Sequence, residues 1–187
     1  LGLLDHQDGR VDLARAHHET ALAILDEVGE PRSIVLAAAR LAGVEALSGD
    51  VEAARARLAE ADLRALRLGD PVTAGVVALA RGFLDVAEAH RAWGRGQIEP
   101  AKAHVERALG RVAEARERPA GRPLVSQSDD ARTAARLLEQ AIAAAVPSVA
   151  PGPGRQLRVA PAALGFAAPG AAWQDFRRRQ PLRRLLL

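Results

Sequence analysis

The stretch GDVEAARARLAEA, residues 49–61, decides the fold of this 187-residue chain because nearly the same pattern occurs twice more. The other copies are GRVDLARAHHETA at 9–21 and GQIEPAKAHVERA at 96–108, and the three align without gaps. All three obey the rule G-x-[VI]-[DE]-x-A-[RK]-A-x4-A. Since recurring self-similarity is typical of repeat architectures, the sequence predicts three copies of one structural unit.

Each shared position of the pattern has a physical role in a pair of helices. The opening Gly permits the left-handed backbone that ends a helix, and the acid lies in the next helix's first turn, where the dipole favours it. The two Ala residues are seven apart, so they share one helix face and let a neighbouring helix approach closely. Gly-Glu-Pro at 29–31 and Gly-Asp-Pro at 69–71 recur as turns that stop one helix, cap the next and start it with Pro.

The repeat and its turns predict a helical chain as far as residue 145. Segment 119–127, PAGRPLVSQ, is expected to be a break, and Ser128 or Asp129 is expected to cap the helix that follows. That last helix is expected to cover the apolar end of the array, as a repeat structure requires. The predicted helices span 1–7, 10–28, 32–47, 51–68, 72–94, 97–117 and 129–145.

The units resemble the tetratricopeptide repeat family over residues 1 to about 118. Leu1-Gly2 fits the Leu-Gly of that family's first helix, seven residues before the first turn glycine. Ala14, Ala54 and Ala101 match the Ala of its second helix. The resemblance implies an all-α fold, an α-solenoid of antiparallel helix pairs whose first helices line a concave face.

Several positions depart from the family pattern. His18, Leu58 and Val105 stand where the family has an aromatic residue, and the Trp and Tyr of the family pattern are absent, although Ala42 and Ala89 do match the small position of the first helix. The spacings of 40 and 47 residues also exceed the family's period of about 34. These are the features of divergent repeats with longer helices, similar to those of large bacterial signalling proteins.

Composition argues against several classes of function. The chain has no Cys, which excludes disulfides and thiolate chemistry, and no apolar run long enough to predict a membrane span. Since the chain has no Cys, we expect a reducing, cytoplasmic compartment. We also expect a fragment of a longer protein, because there is no Met at position 1 and the chain stops at RRLLL in mid-pattern. No nucleophile or phosphate-loop motif is present, so we expect no enzyme activity and no cofactor.

The pair His17-His18 is the strongest candidate for a metal site in the sequence. A helical zinc site uses two His at i and i+4, whereas adjacent residues point about 100° apart on a helix. His18 also occupies the aromatic position of the repeat, so packing explains it. His6, His90 and His104 have no partners at ligand spacing, and we expect no metal.

The first helix of the third unit carries a possible partner-binding stripe. Phe83, Val86, His90 and Trp93 follow the spacing i, i+3, i+7, i+10 and therefore share one face. On a concave surface this face could hold a protein or peptide segment. The alternative, which we favour, is that these side chains pack against the next helix, because the chain has only two Trp and three Phe for its core.

The tail differs from the repeats in its sequence pattern. Alternation at 156–160 and the sequence at 163–168 predict two strands, with a possible third in 169–176 and a helix beginning near Pro181. This order resembles the opening of a winged-helix domain of the response-regulator type. The chain then divides into repeats at 1–118, a linker and capping helix at 119–146, a Pro/Gly linker at 147–155 and a strand-strand-helix segment at 156–187.

Charge is distributed unevenly between repeats and tail. Residues 155–187 hold seven Arg against Asp175, a net +6, whereas residues 1–154 carry 19 basic and 22 acidic side chains, a net −3. Arg177, Arg178 and Arg179 could contact phosphates, but the explanation that we favour is an ordinary solvated Arg run. Nucleic acid is therefore expected to bind only weakly, through the tail.

The leading interpretation of function is a protein–protein interaction scaffold within a larger signalling or regulatory protein. The alternative is the sensor arm of a DNA-binding transcription regulator whose recognition helix lies beyond residue 187.

Overall fold

The computed structural model describes residues 1–117 and 123–145 in full, together with the backbone of three short strands in the tail. Its helices and strands are α1 Gly2–Gln7, α2 Val11–Val28, α3 Pro31–Leu47, α4 Val51–Leu68, α5 Pro71–Gly94, α6 Ile98–Arg116, α7 Leu124–Gln127, α8 Asp129–Ala145, β1 Arg158–Val159, β2 Gly165–Ala167 and β3 Gln174–Asp175.

Five glycines end or separate the first six helices. Gly9, Gly29, Gly49, Gly69 and Gly96 all adopt a positive φ, between 64° and 86°. Any other L-residue would be strained in this region, so the glycines set where each helix stops. The predicted turns are confirmed, and every predicted helix bound lies within one residue of the structure.

The two Gly-acid-Pro turns cap the first helices of the second and third units. The Glu30 side chain accepts from the backbone N–H of Arg32 and Ser33 at the start of α3. Asp70 does the same for Val72 and Thr73 at the start of α5, at 3.1 and 3.2 Å. These carboxylates satisfy backbone donors that have no partner within the helix.

The break expected at 119–127 contains one helical turn that the sequence pattern did not predict. Leu124–Gln127 forms the short helix α7, and Leu124 is buried against Gly75 of α5. Leu124 is buried and Val125 is partly buried against the core, and two adjacent apolar residues give no helical periodicity that a sequence pattern could detect. The Ser128 hydroxyl then accepts from the backbone of Asp130 at the start of α8, as one of the two expected caps.

Ion pairs show that consecutive helices run antiparallel. Arg55 of α4 pairs with Glu88 of α5, while Asp62, two turns later in α4, pairs with Arg81, two turns earlier in α5. The partner number falls by seven as the first number rises by seven, which only antiparallel helices allow. Helices α5 and α6 pair in the same sense, through Glu88 with His104 and Asp85 with Arg111.

The first helices of the units form the centre of the core. Helix α3 buries twelve of its 17 residues, whereas α4 buries only five of 18, so α3 is covered on most sides and α4 on one. Helix α3 contacts α2, α4 and α5, and α5 contacts α3, α4, α6 and α8. Among the described residues, no helix is both long enough and apolar enough to span a membrane.

The repeat alanines lie where helices cross. Ala14, Ala54 and Ala101 are fully buried, as are Ala61 and Ala108 seven residues after two of them. Ala21, the matching residue of the first unit, is only partly buried because little packs on that side of α2. Small side chains at these crossings permit the close approach that the pattern predicted.

The tail forms a unit of its own, residues 147–187. Its strands pair antiparallel in the order β1-β2-β3, with Val159 opposite Phe166 and Phe166 opposite Gln174. The helix expected near Pro181 and the run Arg177–Arg179 lie outside the described residues. The winged-helix resemblance stays a prediction.

Candidate functional site

A groove of about 530 Å³ lies between the first helices α1, α3 and α5 and the last helix α8. Its volume falls in the range typical of binding pockets. The floor is apolar and the rim carries polar side chains. The floor includes Ala46, Val86, Ala87, Leu137 and Ala141, and the rim includes His6, Gln7, His90, Arg91 and Gln140.

Small side chains create the depth of this groove. Ala46 of α3 and Ala87 of α5 are buried, and Ala141 and Ala144 of α8 stand across from them. Each contributes only a methyl group, so the helix backbones flank a channel that no large side chain fills. An apolar channel of this kind accepts bulky side chains from a partner.

The opposite end of the same face is closed. The rings of His6 and Phe83 stand 5.5 Å apart, which joins α1 to α5. Arg40 of α3 pairs with Asp130 of α8 across 90 residues of sequence. Between these contacts remains a crevice of about 20 Å³, room for roughly one water molecule. Only the carboxyl-terminal halves of the first helices therefore border the open groove.

The structure divides the stripe that the sequence singled out. Val86 and His90 line the groove, Val86 as buried floor and His90 as exposed rim. Phe83 is buried against Gly43 and His6 and does not line the groove. Trp93 is half-buried against the core, its ring 6.1 Å from that of His90. Packing accounts for Phe83 and Trp93, and the other two side chains are placed to meet a ligand.

The adjacent residues His17 and His18 play separate structural roles. His17 Nδ1 lies 2.7 Å from Asp5 Oδ2, and Arg10 also bonds Asp5. Burial by itself would raise the pKa of Asp5, but the hydrogen bonds from His17 and Arg10 outweigh it and lower the pKa. His18 is buried against Gly2, and burial lowers its pKa to about 4. The packing explanation for His18 is confirmed.

Folding brings His104 to two carboxylates that sequence spacing did not assign to it. His104 Nδ1 lies 3.1 Å from Glu88 Oε2 and 3.7 Å from Asp85 Oδ1, and the three ligand atoms fall within 4.8 Å of one another. The signal was hidden because it depends on how α6 packs on α5. Asp85 and Glu88 are spaced i, i+3, so one face of α5 presents both.

Arginines already neutralise this cluster. Arg107 and Arg111 bond the two oxygens of Asp85 at 3.1 and 2.9 Å, and Arg55 bonds Glu88 at 2.7 Å. Three positive charges beside two carboxylates disfavour a divalent cation. The cluster therefore joins α4, α5 and α6 through ion pairs.

Comparison of the chain with protein-family models, with curated proteins and with solved structures finds no match.

Proposed function

We propose that this chain is a protein-interaction module whose groove binds an amphipathic helix of a partner protein. The observation that carries the proposal is the groove between α1, α3, α5 and α8, with its apolar floor and polar rim. Helical segments bind such grooves by inserting apolar side chains at i, i+3, i+4 and i+7. Alanines on both sides of the channel leave the space that those side chains need.

We further infer that the helix pairs stack as an α-solenoid, as the tetratricopeptide resemblance implies. The order of contacts supports this arrangement, since α3 packs on α5 and α5 on α8. Each second helix also packs on the following first helix, α2 on α3 and α4 on α5. Helix α1 of the first unit contacts α5 of the third through the rings of His6 and Phe83. This contact favours a tightly wound stack, because helices two units apart touch.

Binding rather than catalysis is the activity that the groove chemistry favours. The titratable side chains that line the groove are His6, His90 and Arg91. Among the described residues no carboxylate lines the groove, and the Ser48 hydroxyl is the nucleophile that does. That hydroxyl bonds the Val44 carbonyl of its own helix, at 2.9 Å. The Ser48 proton is therefore directed to a backbone carbonyl.

The test uses one blocking substitution and one matched control on α8. Ala144 is exposed and lines the groove, whereas Ala143 is exposed and does not. Peptides of about 15 residues, roughly four helical turns, are selected from a display library against the full chain. Ala144→Trp is expected to weaken the selected peptides at least about tenfold, and Ala143→Trp to leave their affinity within about twofold. Equal binding to both variants would place the binding surface elsewhere.

The sensor arm of a DNA-binding transcription regulator is a second proposal. Two observations support it: the antiparallel order of β1, β2 and β3, and the net +6 charge of residues 155–187. The two proposals are compatible in one protein, because the groove belongs to the repeats and the strands to the tail.

A further inference from the structure

We propose that the partner helix carries an Asp or Glu beside its apolar face, and that Arg91 binds this carboxylate. The inference rests on the proposed function and adds the chemical class of the partner. The groove is lined by one guanidinium, two imidazoles and two amide side chains, and by no carboxylate among the described residues. A lining with one sign of charge selects a partner of the opposite sign.

Arg91 differs from most arginines of the repeats in having no carboxylate partner. Twelve arginines of the described ranges form ion pairs with Asp or Glu. Arg91 instead donates one Nη2 hydrogen bond to the Gly49 carbonyl, at 2.9 Å. This bond holds the guanidinium at the rim of the groove, and four of its five donors have no other partner among the described residues.

Carbonyls at the ends of α1 and α3, beside the groove, are bonded within their own turns. A helix carboxyl end carries a partial negative charge from its unpaired carbonyls. At the ends of α1 and α3 these carbonyls are bonded through the glycine turns: Gly9 N–H donates to His6, and Gly49 N–H donates to Ala46. Arg91 therefore bonds a backbone carbonyl and no carboxylate among the described residues, which leaves its guanidinium able to bind a carboxylate of a ligand.

The two histidines of the groove leave Arg91 as its permanent charge. Burial lowers the pKa of His6, which favours the neutral form of that ring. His90 lies one residue before Arg91 on the exposed rim and turns its ring towards Trp93. A carboxylate of the partner helix at the rim would bind the Arg91 guanidinium. The apolar side chains on the same turn of the partner helix would then pack on Val86 and Ala87.

The experiment compares Arg91→Glu with Arg95→Glu. Arg95 lies at the end of the same helix, is exposed, has no carboxylate partner among the described side chains and does not line the groove. The peptide library keeps an apolar helix face and randomises the polar positions. We expect Asp and Glu to be enriched over Lys and Arg by the parent and by Arg95→Glu, and the preference to reverse for Arg91→Glu.

A second measurement separates charge recognition from damage to the groove. A selected Glu peptide and its Gln counterpart are titrated against the parent and against Arg91→Gln. The substitution should weaken the Glu peptide about fivefold and leave the Gln peptide unchanged. Equal weakening of both peptides would show loss of groove shape and overturn the role of Arg91. Peptides that are sensitive to Ala144→Trp but show no acidic preference overturn this inference alone, whereas insensitivity to Ala144→Trp overturns the proposed function.

Discussion

Glu45 and Arg57 join the two helices of the second unit through three hydrogen bonds of 2.7–3.0 Å. The Glu45 side chain is 1% exposed and that of Arg57 is 30% exposed. Asp5 and His17 occupy the equivalent positions 40 residues earlier and are joined at 2.7 Å. A buried acid on the first helix and a basic side chain twelve residues later therefore recur as one interhelical bond.

The third unit keeps the basic member of this bond and moves the acid. His104 aligns with His17 and Arg57 in the repeat, but Ala92 stands where the acid would be. The carboxylate of Glu88, one turn earlier on the same helix, lies 3.1 Å from His104 Nδ1, the atom that also bonds Arg107. An acid of the first helix and a basic side chain of the second thus lie within 3.1 Å of each other in all three units.

The first prediction concerns this bond. Arg57→Leu should lower the free energy of unfolding by about 3 kcal/mol, because it leaves the Glu45 charge buried without a partner. Glu45→Leu combined with Arg57→Leu should recover most of that loss. Urea denaturation of the parent and variants measures both effects.

Arg64→Leu is the matched control for Arg57→Leu. Arg64 bonds Glu60 on the surface of the same helix, with both side chains largely exposed, so its removal should cost less than about 1 kcal/mol. If Arg57→Leu is no more destabilising than Arg64→Leu, the buried pair does not hold the unit together.

The second prediction concerns pH and the cap of α5. The side-chain hydrogen bond from Thr73 lowers the pKa of Asp70 from its usual 3.8, with further help from the backbone N–H groups of Val72 and Thr73 and the charge of Arg32. The unfolded chain binds a proton at higher pH than the folded chain. The resulting stability is therefore fully present above about pH 4 and is lost as pH falls through the lowered folded-state pKa.

Asp70→Asn separates the cap from the charge. Asn caps a helix as well as Asp does but cannot titrate, whereas Asp70→Ala should cost about 1 kcal/mol at neutral pH by losing the cap. The parent should exceed Asp70→Asn in stability at pH 7, and the difference should shrink below about pH 4. Thermal unfolding across this range measures it, and parallel curves for the two proteins would refute the linkage.

The helices and their turns could be predicted from sequence because their causes are local. Gly49 and Gly69 need a left-handed backbone, and Asp70 and Pro71 cap and start the helix that follows within three residues. The same pattern placed Ala54 at a helix crossing. Each of these inferences uses neighbours along the chain, and the structure confirms them.

The groove could not be located from sequence, because its causes are distant in the chain. Its closed end depends on Arg40 meeting Asp130 and on His6 meeting Phe83. The stripe of the third unit was visible as a helix face, but which residues face the groove depends on where α8 lies. Glu45 illustrates the same limit, since an acid within a helix is ordinarily exposed until a tertiary partner buries it.

The third prediction contrasts two glycines inside helices. A Cβ at Gly82 of α5 would clash with the side chain of Leu138, which is fully buried in α8. Overpacking should cost about 1–3 kcal/mol and the better helix propensity of Ala should return roughly 1 kcal/mol, so Gly82→Ala should destabilise by up to about 2 kcal/mol. Gly110→Ala in α6 meets nothing within 4 Å and should stabilise by about 0.5–1 kcal/mol. Opposite signs in thermal unfolding are expected, and a stabilised Gly82→Ala would mean that α8 is not packed closely on α5.

The last prediction concerns nucleic acid. The repeats carry a net charge of −3 and the segment 155–187 carries +6, so any affinity for duplex DNA should reside in that segment. Binding through Arg side chains to phosphates releases counterions and weakens steeply with salt. For about three phosphate contacts, such as Arg177, Arg178 and Arg179 could make, affinity should fall about 40-fold between about 50 and 200 mM salt.

Fluorescence anisotropy with duplexes of mixed and of defined sequence measures this affinity, for the full chain and for a variant lacking 155–187. Weak binding without sequence preference, abolished by the deletion, is expected. Binding that resists salt and prefers one duplex would show direct contacts to bases, and binding that survives the deletion would place the DNA contacts outside 155–187; either result would contradict the prediction.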